Sequence, residues 1–142
     1  MSTAPAIVVA TFYPELAERL VAGARSGFAE AGWEEPEVHE VPGAFELPLA
    51  ARYCADSGRV GGVACLGAVI RGETDHYEYV CSEAAAGIQR VQLDSGVPCS
   101  FGVLTVDTLE QAMERTGGDR RDTGLNAALA VVALAGLRRQ LS

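Results

Sequence analysis

The sequence has few of the residues that announce a particular chemistry. No apolar run approaches the roughly 20 residues that a membrane span needs. The start, MSTAPAIVVATFY, has no charged segment ahead of a long apolar one, so no secretory leader is expected. There are only two histidines, His39 and His76, without the spacing of a metal site, and no metal is expected. The four cysteines, Cys54, Cys65, Cys81 and Cys99, form no CxxC pair. They are expected as free, mostly buried thiols in a reducing cytoplasm. No GxGxxG follows the first apolar run, and neither GxxxxGK[ST] nor GxSxG occurs, so dinucleotide, P-loop and hydrolase-elbow readings lack their motifs. A receiver-type phospho-aspartate would need Asp at the end of the third strand, where the chain has Ile70-Arg71. A net charge of −8 argues against nucleic-acid or membrane partners, though it leaves room for a locally positive site on a small anion.

What is present is an ordinary globular balance. The 142 residues are 49% hydrophobic and 21% charged, which suits one domain over 1–142 with a real core. Ala6 to Ala10 is a β-branched run that reads as a buried strand. Pro14 opens a helix whose stripe is Leu16, Leu20, Val21, Ala24 and Phe28, ending near Gly32. Glu37 to Val41 is a second strand, Phe45 to Ala55 a helix, Gly61 to Ile70 a third strand, and Thr74 to Gln89 a helix. Pro98 to Thr105 is a fourth strand. A short helix capped by Asp107 or Thr108 runs to Arg115, and Leu125 to Leu141 closes the chain. Apolar strands alternating with helices predict a parallel sheet covered on both faces. Ligands of such sheets sit beyond the carboxyl ends of the strands, and the unusual residues gather there.

Gly72-Glu73-Thr74-Asp75-His76 lies where the third strand hands over to a helix. Helix N-termini offer free N–H groups and a positive dipole end, so the turn could cradle a phosphate. Imidazole exchanges protons readily near neutral pH, which makes His76 a candidate acid–base group. The plain alternative is an ordinary strand-to-helix turn with a surface histidine, and local sequence alone favours it. Glu46, at the start of another helix, could accept hydrogen bonds from ligand hydroxyls or simply complement the dipole. Phe12 could stack on a flat heterocycle or plug the core edge. Arg115, before a Gly-Gly loop, could pair with a phosphate or remain solvated. Phe101 lies inside an apolar strand, where core is the default.

Taken together, VPGAFELPLAA (41–51), LGAVIRGETDHYEYVCSEAAAGI (66–88), DSGVPCSFGVLTVDTLEQAMER (94–115) and the closing Ala-rich helix resemble the 6,7-dimethyl-8-ribityllumazine synthase family. The resemblance runs from about Ile7 to Arg139. It implies an α/β fold, a three-layer α/β/α sandwich with a four-stranded parallel flavodoxin-like sheet. It implies an enzyme of riboflavin biosynthesis that condenses 5-amino-6-(D-ribitylamino)uracil with 3,4-dihydroxy-2-butanone 4-phosphate, without a cofactor. It assigns ring stacking to Phe12, the ribityl chain to Ala44, Phe45 and Glu46, and the ring pocket to Val69 and Ile70. It assigns the phosphate to Gly72, Glu73, Thr74 and Arg115, and proton transfer to His76. Phe101 and Arg115 would arrive from a neighbouring subunit of a cytoplasmic pentamer, alone or in a shell of about sixty subunits. Association with riboflavin synthase is also consistent with the resemblance.

Three departures from the family pattern stand out. Tyr13 occupies the usual place of Asn, and Thr123 that of a Lys whose charge Arg120 or Arg121 would have to replace. Only MSTAPA precedes Ile7, where many members have a longer strand. The missing lysine motivates a second reading, a flavin- or lumazine-binding paralogue with little catalysis. A shell-forming protein is a third, and generic flavodoxin-like nucleotide binding a distant fourth.

Overall fold

The computed structural model describes residues 2–117 and 121–142. Arg120, one suggested substitute for the missing lysine, lies outside the described residues. Four strands, β1 (Pro5–Ala10), β2 (Glu37–Val41), β3 (Gly62–Ile70) and β4 (Cys99–Val106), form one sheet in the order β2-β1-β3-β4. Every pairing is parallel; Val8, for example, stands between His39 of β2 and Cys65 of β3. The helices are α1 (Pro14–Glu30), α2 (Leu47–Asp56), α3 (His76–Ser95), α4 (Leu109–Glu114) and α5 (Thr123–Leu141).

The central strands β1 and β3 are apolar on both faces, so alternate side chains feed two cores, whereas the edge strand β2 keeps His39 and Glu40 exposed. Ile7, Val9, Ala64, Leu66, Leu104 and Val106 pack with Leu16, Leu20 and Phe28 of α1 and with Ala127, Ala128 and Val131 of α5. Ala6, Val8, Val63, Cys65 and Val103 pack with Leu47 and Ala51 of α2 and with Ala84, Ile88 and Val91 of α3. The result is the three-layer flavodoxin-like sandwich expected from the strand–helix alternation.

The elements differ from the sequence expectation mainly at their ends. Helix α3 runs six residues past Gln89, because Val91 extends the Ala84–Ile88 stripe by one more turn. It stops at Gly96, whose φ of 72° suits glycine and the left-handed C-terminal cap. Its start is His76 rather than Thr74, since the Thr74 Oγ1 accepts from the His76 N–H (3.3 Å) outside the helix. A separate 3-10 turn, Ala44–Glu46, precedes α2, and Pro48 follows in that helix's first turn. Of the two candidate caps of α4, Thr108 does the work: it accepts from Gln111 N–H in a reciprocal capping box. Asp122 caps α5, accepting from Leu125 N–H at 3.1 Å, so that helix begins two residues earlier than its apolar pattern.

Candidate active site

With β1 flanked by β2 on one side and β3 on the other, the chain reverses its winding between β1 and β3. Parallel sheets open a crevice at such a point, beyond the carboxyl ends of the two strands. A cleft of about 620 Å³ lies there. Phe12 and Tyr13 enter it from the end of β1, and Ala68, Val69 and Ile70 from the end of β3. The turn after β2 contributes Pro42, Gly43, Ala44, Phe45 and Glu46. Gly72, Thr74 and His76 come from the turn into α3, followed by Tyr77, Tyr79 and Val80 on its first turns.

The walls are mainly aromatic and aliphatic, and the polar groups converge at two ends. Phe12 is 72% exposed and Phe45 59%, an unusual cost for large apolar rings unless something flat or flexible covers them. Glu46 lies over Gly43, its Oε1 3.1 Å from where a Cβ on that glycine would stand. The small residue therefore leaves the carboxylate room to turn toward the cleft. At the other end, Gly72 has open space around it, and Thr74 and His76 precede or begin a 20-residue helix with its positive dipole end.

Glu73, Phe101 and Arg115 do not line this cleft. Glu73 is exposed beside it on the same turn. Phe101 is 43% exposed on β4, an edge strand. The Arg115 guanidinium donates to the Gln111 carbonyl (2.9 Å) and stands 3.8 Å from the Glu114 carboxylate. Thr123 opens α5, and its buried Oγ1 has no hydrogen-bond partner among the described residues. Tyr77, Tyr79 and Val80 also line the cleft, though the sequence expectation gave neither tyrosine a part in a site and placed Val80 only on the helix's apolar face. The i, i+3 and i, i+4 spacing of His76 with Tyr79 and Val80 is the signal that would have grouped them on one helix face.

A second cavity of about 710 Å³ adjoins the first and shares Pro42, Phe45 and Glu46 with it. It runs along the open edge of β2 past His39, Leu49, Tyr53 and Arg59. Burial pushes the Glu37 carboxyl up, but hydrogen bonds from Arg59 (3.1 Å) and His39 (3.0 Å) outweigh it and hold it below its ordinary value. Among the described residues, no three His, Cys, Asp or Glu side chains come together as a metal site would require. No described helix is long and apolar enough to cross a membrane.

Comparison with known proteins agrees with this geometry. Residues 3–139 match the profile of the 6,7-dimethyl-8-ribityllumazine synthase family. A protein of that name from Desulfatibacillum aliphaticivorans is 46% identical over 139 residues, covering 94% of this chain and 88% of the relative. Another from Desulfosudis oleivorans is 43% identical over 134 residues, covering 93% and 85%.

Proposed function

The chain belongs to the 6,7-dimethyl-8-ribityllumazine synthase family, and from that premise we propose how its residues divide the work. It is a transferase of riboflavin biosynthesis, joining 5-amino-6-(D-ribitylamino)uracil to 3,4-dihydroxy-2-butanone 4-phosphate. The pyrimidine amine attacks the ketone and an imine forms with loss of water. Phosphate then leaves, and ring closure expels a second water. The protein has to align two substrates and move protons; it need not supply a nucleophile.

In this reading Phe12 stacks on the pyrimidine, and Val69 and Ile70 floor the ring pocket. Ala44 and Phe45 follow the ribityl chain, with Glu46 accepting from its hydroxyls. Gly72, Glu73 and Thr74 hold the phosphate at the start of α3. His76 takes and returns protons as the amine, the carbinol and the leaving group change charge. The observation that carries the reading is the meeting, in one cleft at the β1–β3 switch point, of a free aromatic face, a carboxylate and a histidine at a helix start.

Phe101 and Arg115 complete the site from a second copy of the chain. Supporting this, neither lines the cleft of its own chain, and both edges of the sheet are open. Beside β2, Leu49 is 55% exposed and Tyr53 67%; beyond β4, Phe101 faces out. Two different apolar surfaces suit a head-to-tail ring, and a pentamer is the closed form we take, in the cytoplasm. Larger shells of pentamers and association with riboflavin synthase extend the same reading.

Purified protein given both substrates should form the lumazine, followed by its absorbance, with no second protein present. Absence of turnover in a protein that still binds riboflavin would overturn the catalytic reading. Co-assembling His76→Ala with Arg115→Ala subunits should restore activity, because about a quarter of randomly mixed interfaces pair two intact halves. If each site were built within one chain, mixing would restore nothing.

A further inference from the structure

We propose that Arg71 is a positioning residue: its side chain ties the two ends of the 72–76 turn together and fastens them to the end of β4. The clamp itself is independent of any substrate; that it serves a phosphate rests on the function proposed above.

The turn needs such a device. Residues 71 to 76 are all exposed, so core packing does not hold them. The Arg71 N–H donates to the Val106 carbonyl (2.8 Å) at one end, and the Glu78 N–H to the Asp75 carbonyl (3.0 Å) at the other. Between them, the His76 N–H reaches the Thr74 Oγ1 at 3.3 Å, a long bond for its type.

The Arg71 side chain spans this weak stretch. Its Nε donates to the Asp107 Oδ1 at 2.9 Å, its Nη1 stands 3.6 Å from the Glu78 Oε1, and its Cζ lies 4.4 Å from the centre of the Tyr77 ring. A planar guanidinium can present its edge to carboxylates and its face to an aromatic ring at once, which an ammonium cannot do. The contacts therefore grip the residues immediately after His76 from the residue that opens the turn. Asp107 is itself anchored, since its backbone N–H donates to the Gln111 Oε1 (2.7 Å) beside the capping box of α4. Arg71 does not line the cleft, and its donors already face two carboxylates. It acts through the turn and not on the ligand.

Exposed ion pairs add little to stability one by one. The clamp matters for geometry, because small misplacements of catalytic groups cost large factors in rate.

The decisive variant is Asp107→Asn, compared with Arg71→Ala and Arg71→Lys in the full-length protein. The clamp predicts that Asp107→Asn and Arg71→Ala each raise KM for the butanone phosphate and lower kcat, by at least about tenfold in kcat/KM. KM for the pyrimidine stays unchanged. The double variant is no worse than the poorer single one. Arg71→Lys does not restore activity, since it lacks the fork and the flat face. A purely electrostatic role predicts the opposite sign: removing the Asp107 charge would lower KM for the phosphate substrate, and that result would overturn the clamp. Amide exchange at residues 72–77 gives a readout free of activity. Both variants should speed it, and unchanged exchange would overturn the clamp. If the wild-type protein turned over neither substrate, the proposed function would fail while the exchange measurement still decided the clamp.

Discussion

The rings of Phe12 and Tyr13 meet edge to face, with centroids 5.0 Å apart and planes at 71°. These neighbours leave β1 in different directions. Tyr13 is half-buried and packs against the α1–α5 core, whereas Phe12 stands 72% exposed over the cleft. The tyrosine is thus a fixed wall that sets the tilt of an otherwise free ring. Aromatic pairs of this geometry are worth about 0.5–1.5 kcal/mol beyond area burial. Tyr13→Ala should therefore weaken riboflavin binding by about two- to tenfold in a fluorescence titration. Tyr13→Phe should bind as the wild type does. Equal binding by Tyr13→Ala would mean that Phe12 needs no brace.

His76 opens α3 at the rim of the cleft and is exposed to whatever binds there. His76→Ala should lower kcat by about one to four orders of magnitude, the range open to general acid–base groups. KM for the two substrates should change little, because the residue is placed at the proton and not at the ring. A kcat equal to that of the wild type in steady-state assay would remove His76 from proton transfer.

Gly124 lets α5 pack directly on the backbone of α1. A Cβ there would run into the Leu20 carbonyl and come 3.1 Å from the Ala24 nitrogen, both backbone atoms that cannot swing away. Gly124→Ala should cost about 1–3 kcal/mol through overpacking. Gly136, in the same helix, supplies the control: the nearest atom to its added Cβ is the Arg139 Nη2 at 4.0 Å. Gly136→Ala should stabilise by up to about 1 kcal/mol through helix propensity. Urea midpoints moving in opposite directions would support both assignments, and equal midpoints would contradict the close-crossing argument.

The buried thiols make the fold sensitive to alkali. Burial pushes Cys99 from an ordinary 9.0 up to about 12, and burial raises Cys65 as well. The folded chain therefore holds these protons when the unfolded chain has released them. The Cys99 contribution is complete below pH 9.0 and is lost as pH rises toward about 12. Urea midpoints should fall across that interval, and Cys99→Ala should flatten the fall. A midpoint independent of pH in both proteins would show that the thiols are not the linked groups.

Much of this architecture could be read from residues in order. AIVVA and GVACLGAVI are too apolar and too rich in β-branched or small residues for exposed segments, and the i, i+4 stripe through Leu16, Leu20, Ala24 and Phe28 has only one helical reading. Pro14 and Thr108 mark ends by local chemistry alone, which is why those boundaries are legible in the sequence. The α3 C-terminus was less clear, because Val91 and Leu93 sit among polar residues and only packing on the sheet shows that Val91 belongs to the core.

By itself the sequence determined the element order, the burial of β1 and β3 on both faces and the gathering of Phe12, Glu46, Thr74 and His76 at strand ends. These follow from spacing and from the preferences of single residues, which act over a few positions. Tertiary structure alone decided that β1 lies between β2 and β3, and so that Phe12 faces Ile70 and His76 across one cleft. It also decided that Asp107, the unused candidate cap, serves Arg71, and that Arg115 lies outside the cleft of its own chain. β1 and β3, apolar on both faces, carry no mark of which neighbour they pair with. That choice is made by long-range packing, and the relations that depend on it cannot be read along the chain.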